Sequence, residues 1–312
     1  MRPGPWSTML LAWLLVIVPL WVSNIVLSPL ALARFTSLIA ASALLGLFRS
    51  RLTRPVLQRF GAFCECQAAL AGICLAGAVG SYAAAALSNG YVDHRMAAVD
   101  QFLGFDWPFL YGLMAASPTA QLVSKLAYAS IFVGPQFVLL ALCATGEDAR
   151  ARRFVTIYGM TLIVVVMVFP LVPAVGPITH YGVAEPDYVT ATSSRHVEII
   201  EALRAGSLRT VDVGEVAGLI SVPSFHAATA LLLIWAAWPL RRARYLVGLV
   251  NIAMLVATPI EGNHYLVDVI AGLALAAAAI GLPSWWPQVR AFPAGAFRPT
   301  EILTPARLPS AP

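Results

Sequence analysis

Charge is what this sequence has least of. Only 11% of its 312 residues are Asp, Glu, Lys or Arg, against 59% hydrophobic. A soluble domain carries roughly a quarter charged residues, so this chain has too few to cover a water-facing surface. Lysine is almost missing: Lys125 is the only one, and the net charge of +5 rests on arginine. In a chain this apolar, loop arginines set membrane orientation, and no nucleic-acid partner is expected. Cysteine is scarce too. Cys64, Cys66, Cys74 and Cys143 lie in or beside apolar stretches. A structural zinc takes about four ligands at suitable spacing, which these do not supply, so they read as small apolar side chains. Alternating strands of about ten residues, the mark of a membrane barrel, are missing, and no internal repeat is visible.

Long apolar runs are abundant, among them Met9–Leu27, Phe154–Val172 and Ala271–Leu282. A hydrocarbon core of ~30 Å takes about 20 residues per helix. The expected fold is all-α, a polytopic membrane helix bundle embedded in the lipid bilayer, with about eight transmembrane helices. They fall near 8–29, 33–49, 61–87, 119–144, 153–173, 223–240, 243–259 and 264–283. The run Ala31–Leu32–Ala33 looks like a signal-peptide cleavage site. The apolar stretch before it exceeds the usual ~7–15 residues of such a signal, so a retained first helix is expected.

Arginines cluster at 49–59, 150–153, 241–244 and 290–307. On an eight-helix path these clusters share one side, which the positive-inside rule makes cytoplasmic together with both termini. The opposite side carries two long loops, 88–118 and 174–222, and the short turn Glu261–His264. The first loop contains "VDQFLGFDWP", read as an interfacial helix with Trp107 at headgroup level. "HRMAAVD" and "SSRHVEIIEALRAG" read as interfacial helices over the site, and His94, His180 and His196 as solvated surface residues. The tail from 284 to 312, rich in Pro and Arg, is expected to be a cytoplasmic surface or disordered segment.

The chemistry concentrates in two places. In "SVPSFHAATALLLIWAAWPL", Pro223 suits a first helical turn, Ser221 or Ser224 can cap it, and His226 sits just inside. In "TPIEGNHYLVDVIAG", Gly262 and Asn263 break and can cap the chain, and His264 opens the next helix. Asp268, four residues on, shares a helix face with His264. An intramembrane aspartate is costly and takes a partner. Here that is the His264 ring N–H, which fixes the tautomer and makes the other nitrogen more nucleophilic. Both helices start on the outer side, where helix N-termini favour phosphate. Two histidines, one aspartate and amide donors suit phosphoryl transfer through a phosphohistidine. Two other readings stay open: a transporter or channel using His264 and Asp268 as a proton relay, and a zinc site from His226, His264 and Asp268.

"PSFH" (Pro223–His226) and "HYLVD" (His264–Asp268) resemble the second and third motifs of the type 2 phosphatidic acid phosphatase (PAP2) superfamily. The fit is closer to its inositolphosphotransferase-like branch, which includes inositol phosphorylceramide synthases. "LGFDWP", "AYAS" and "PAVGP" are similar to segments of bacterial members. The resemblance implies His264 as nucleophile, Asp268 as its activating carboxylate and His226 as general acid. It implies a six-helix catalytic core at 61–283, preceded by an added helix pair at 1–60, and chemistry that needs no metal or other cofactor. The implied substrate is a phospholipid or other lipid-linked phosphate, met at the outer face of a bacterial inner membrane. The acceptor is left open between water and the hydroxyl of a lipid or polyol. Pro223, Ser224, Gly262, Asn263, Lys125, Tyr128 and Arg209 are the candidate substrate-contacting residues, with Arg195 and Arg204 as further cations. The sequence departs from the common phosphatase pattern in two ways. Thr258 stands where that pattern has arginine, and "FPLVPAVGP" carries no base.

Overall fold

A computed structural model describes residues 4–183, 188–192, 195–216 and 218–282. The chain folds into helices: α1 (Pro5–Val22), α2 (Pro29–Leu47), α3 (Pro55–Ala86), α4 (Asp93–Phe102), α5 (Trp107–Ala115), α6 (Pro118–Ala129), α7 (Gly134–Ala144), α8 (Asp148–Val168), α9 (Pro177–His180), α10 (Arg195–Arg204), α11 (Phe225–Ala236), α12 (Ala243–Glu261) and α13 (Leu266–Gly281). The strands described are two-residue pieces, β1 (Val26–Leu27) and β2 (Thr210–Val211), paired in parallel. The tail expected beyond residue 283 lies outside the described residues.

Composition explains why these segments are helical and where they stop. Prolines stand at the starts of α1, α2, α3 and α6, where the missing N–H costs nothing. α3 is the hub. Its small residues let α1, α2, α7 and α8 approach; a Cβ at Gly80 would meet Val16 of α1 and Val166 of α8. α2 shows the opposite pattern, with Leu30, Leu38, Leu44, Leu45 and Leu47 all exposed. Exposed leucine along a whole helix is costly in water and suits lipid.

Five helices are long and apolar enough to cross a membrane: α1, α2 with its short extension, α3, α8 with its extension, and α12. Residues Pro118–Phe132 and Gly134–Ala144 make a sixth apolar unit if the 53° bend between them is one broken span. α11 and α13 are apolar but have 12 and 16 residues, about 18 and 24 Å at 1.5 Å per residue. Each of the eight expected segments contains helix, while among the described residues five, or six with the bent pair, meet the length for a crossing. The chain is a membrane protein by these helices.

The two ends of the bundle differ. At one end Arg49 meets Glu65 and Asp148, Arg152 meets Glu65, and the Arg59 guanidinium donates to the Ala144 carbonyl. Arg150 and Arg153 lie over the Trp235 ring there. At the other end the α1–α2 turn pairs with the 174–222 loop through β1 and β2. The arginine clusters of the described residues therefore gather at the end away from that loop.

Candidate active site

The site lies where α11 and α13 begin. α11 starts as expected: Ser224 is its N-cap, the Ser224 hydroxyl accepts from the Ala227 N–H at 3.4 Å, and His226 sits in the first turn. The Val222–Pro223 peptide bond before it is cis. α13 starts differently from the expectation. His264 does not open the helix; Tyr265 is the N-cap and Leu266 the first helical residue. Asn263 takes a left-handed backbone, φ 54°, and does not cap α13. Its side-chain amide spans to the 175–178 loop instead, accepting from the Ile178 N–H at 2.7 Å and donating to the Val175 carbonyl at 3.1 Å. The turn residue is used to fasten a second loop.

Close backbone packing joins the two helix starts. The Ser224 N–H donates to the Asp268 carbonyl at 3.1 Å, and a Cβ on Gly272 would run into the Ser224 carbonyl. This brings the two histidines together. His264 Nδ1 faces Asp268 Oδ2 at 3.5 Å, within ion-pair range, though no hydrogen bond is formed at Nδ1. His264 Nε2 lies 3.3 Å from the Ser224 hydroxyl. His226 Nδ1 lies 3.2 Å from the Tyr128 hydroxyl, and the two rings stack at 4.0 Å. Gly262 leaves room between them: a Cβ there would sit 2.6 Å from the His264 ring and 2.9 Å from the Tyr128 oxygen.

Asp268 is fully buried and His264 nearly so, at 3% exposed. Three buried polar atoms in this cluster have no hydrogen-bond partner among the described residues: His226 Nε2, His264 Nδ1 and Asp268 Oδ1. Leaving such a group unpaired costs about 1–3 kcal/mol. Two of the three belong to the facing His264–Asp268 pair, and His226 Nε2 is the ring nitrogen not turned to Tyr128.

The other expected residues are placed unevenly. Tyr128, Pro223, Ser224 and Gly262 lie in or beside the cluster. The Lys125 ammonium lies 4.9 Å from the Tyr188 ring centroid. Tyr188 in turn donates its hydroxyl to the buried carboxylate of Glu261, which also accepts from the Ala191 N–H at 2.9 Å. Arg209 donates to the Ser23 carbonyl at the end of α1. Arg204 holds Ser88 and the Gly90 carbonyl and lies over the Tyr91 ring. Neither arginine touches the histidines.

Three expectations are corrected here. Trp107 does not present its ring outward as an interfacial anchor; it is fully buried in the protein, packed with Tyr111, Ile178, Tyr188 and Ile260. The last carbonyls of a helix need donors from elsewhere, and the Trp107 indole N–H supplies one to Pro259 at 2.8 Å. His196 is not a solvated residue; it is 4% exposed, with Nε2 at 2.8 Å from the Val175 carbonyl. The start of α13 is not open to phosphate. Asp100 of α4 accepts from the Leu266 N–H at 2.7 Å and the Val267 N–H at 3.0 Å. Burial pushes the Asp100 carboxyl up from its ordinary range, and those two N–H donations pull it back.

Asp93 was also missed by the sequence reading. It accepts from the Val175 and Gly176 N–H groups at 3.0 and 2.8 Å and from the Tyr265 hydroxyl at 2.9 Å. The one signal available was the spacing of Asp93 and Asp100, two turns apart on "DHRMAAVD". Among the described residues, no group of three or more His, Cys, Asp or Glu side chains is placed to share one ion.

The family model of the PAP2 superfamily matches residues 94–282. The chain belongs to the PAP2 superfamily. The match runs from the second residue of α4 through α13 and includes His226, His264 and Asp268; α1 to α3 lie outside it. Members of the superfamily are phosphatases or phosphotransferases, so membership points to a membrane enzyme of phosphatase type. No curated protein and no solved structure matches this sequence.

Proposed function

We propose that this PAP2 protein is an integral membrane lipid phosphatase or phosphotransferase of the inositolphosphotransferase-like branch. It works on lipid-linked phosphate esters through a phosphohistidine. The observation that carries this reading is the cluster itself: two histidines at the starts of separate helices, His226 with Nδ1 at the Tyr128 hydroxyl and His264 between Asp268 at Nδ1 and Ser224 at Nε2.

The roles follow from which nitrogen faces what. Asp268 favours a proton on His264 Nδ1, leaving the lone pair on Nε2. Nε2 attacks phosphorus while the P–O bond to the leaving alcohol breaks. His226, held at Nδ1 by Tyr128, gives that oxygen a proton from Nε2. Water or a hydroxyl acceptor then attacks phosphorus and passes its proton to His226, and the P–N bond breaks to restore His264. Asp268 steadies the positive charge on the His264 ring while the intermediate lasts. The Ser224 hydroxyl lies against the same Nε2 and must turn aside as phosphorus approaches. Pro223, Gly262 and Asn263 shape the backbone around the reacting atoms, and Lys125, lying over the Tyr188 ring, is the cation assigned to a phosphate oxygen.

The proposed membrane arrangement has eight crossings, with the bent α6–α7 unit, α11 and α13 joining the five long helices. Residues 61–283 form the catalytic core, 1–60 an added helix pair and 284–312 a cytoplasmic tail. The active site faces the outer side of a bacterial inner membrane, opposite the arginine clusters, with both termini inside. The partners are a phospholipid or other lipid-linked phosphate and, for a transferase, a lipid or polyol hydroxyl.

The test uses purified protein in detergent beside His264→Ala, with a panel of phosphorylated lipids, with and without diacylglycerol, ceramide or inositol, and with EDTA. Free phosphate from wild type alone, unchanged by EDTA, identifies a phosphatase. A new phospholipid that needs the acceptor identifies a transferase. Turnover abolished by EDTA, or equal turnover in the variant, contradicts the reading.

A further inference from the structure

α4 carries Asp93 and Asp100, both buried and both on the face turned to α13 and the 175–176 loop. A buried carboxylate is costly unless hydrogen bonds satisfy it. Both donors to Asp100, and one of the three to Asp93, come from the residues just after His264. Asp100 takes the N–H groups of Leu266 and Val267, and Asp93 takes the Tyr265 hydroxyl. The three residues after His264 are thus all tied to α4. Asp93 also takes the Val175 and Gly176 N–H groups, and that loop is fastened in turn to Asn263, the residue before His264. Neither aspartate pairs with a Lys or Arg among the described residues. Their charge is met by amides and one hydroxyl alone.

We propose that Asp100 is a positioning residue for the His264–Asp268 pair, holding the first turn of α13 so that His264 Nδ1 faces Asp268 Oδ2. Both oxygens of the Asp100 carboxylate accept an N–H. Asparagine cannot reproduce this, because its NH2 would face one of those amides. Without the clamp, Leu266 and Val267 lose their acceptors and the turn that carries Asp268 shifts against His264. Asp93 supports the same turn through Tyr265. The catalytic consequence rests on the phosphohistidine reading above; the positioning itself does not.

The experiment has two arms on folded full-length protein in detergent. The first follows the ring 15N shifts of histidine-labelled protein, which report the tautomer of each imidazole. Asp100→Asn is expected to move the His264 shifts and leave the exposed His94 unchanged. The second measures kcat and KM on the best lipid phosphate. Asp100→Asn is expected to lower kcat roughly ten- to hundredfold, the usual scale for losing a group that orients a reacting one, with KM held within about threefold. Should Asp100→Asn fail to fold, Asp100→Ser keeps one acceptor at the helix start and is expected to show a smaller effect of the same kind. Unmoved His264 shifts in a folded variant overturn the proposal. So does a loss of activity that merely tracks the folded fraction. A wild-type protein that turns over no lipid phosphate refutes the phosphohistidine reading, while the 15N comparison still decides the role of Asp100.

Discussion

The starts of α11 and α13 carry the same kind of residue in different ways. α11 is self-sufficient: Ser224 caps it three residues before the amide it serves, and His226 lies inside the helix. α13 has one local cap bond, from the Tyr265 N–H to Asp268 Oδ2 at 3.0 Å, and is otherwise held from outside. Its first amides are taken by Asp100, some 166 residues away in sequence, and His264 lies before the helix on a turn pinned through Asn263 and Tyr265. The difference suits the two roles. A proton donor needs an oriented ring and little else. A nucleophile must face a carboxylate on one side and phosphorus on the other, which asks for a backbone with little freedom.

The largest effect expected from breaking this contrast is at the nucleophile. His264→Ala removes the atom that takes phosphorus, and turnover is expected to fall by roughly 10⁴-fold or more, measured as phosphate or phospholipid formed per folded enzyme. Asp268→Asn comes next. It leaves the shape in place but no longer favours the Nδ1 proton, with a loss of roughly 10²–10⁴-fold in kcat by analogy with other aspartate-held imidazoles. A variant that kept full kcat would detach Asp268 from the mechanism.

Gly272→Ala sharpens the contrast from the packing side. The added Cβ meets the Ser224 carbonyl and comes within 3.2 Å of the Ala227 Cβ, so α11 and α13 must part. Overpacking of this kind costs roughly 1–3 kcal/mol. The thermal midpoint in detergent is expected to drop, with activity falling because both histidines move. An unchanged midpoint would show that the two helix starts are not locked together. Ser224→Ala is the mildest. It removes the cap of α11, worth about 1 kcal/mol, and the contact to His264 Nε2. A small drop in midpoint is expected with turnover largely kept, since the hydroxyl must leave Nε2 before reaction. A loss as deep as that of His264→Ala would make Ser224 itself part of the chemistry.

The same comparison shows what was legible in the sequence. The α11 start is local: a serine, then a histidine, then an apolar run, and the helix begins where those residues place it. Pairing His264 with Asp268 was legible from their spacing of four. The helix there nevertheless begins two residues later, because Asn263 takes a left-handed turn and Tyr265 becomes the cap. The carboxylates of α4 were not legible as part of the site, since nothing local says which amides a distant aspartate will reach. The same holds for Trp107 and His196, whose hydrogen bonds to Pro259 and Val175 are tertiary. The bundle of apolar helices could be read from composition. The short lengths of α11 and α13 could not, because apolar runs extend past the residues that remain helical.

One measurement reaches the central claim most directly. Wild type, His264→Ala and His226→Ala are mixed briefly with a lipid carrying labelled phosphate and quenched in alkali, and the protein-bound label is mapped. A phosphohistidine survives alkali and is lost in acid. The expected result is acid-labile, alkali-stable label on the peptide containing His264 in wild type and none in His264→Ala. Label retained in His264→Ala, or found on another peptide, would contradict the account.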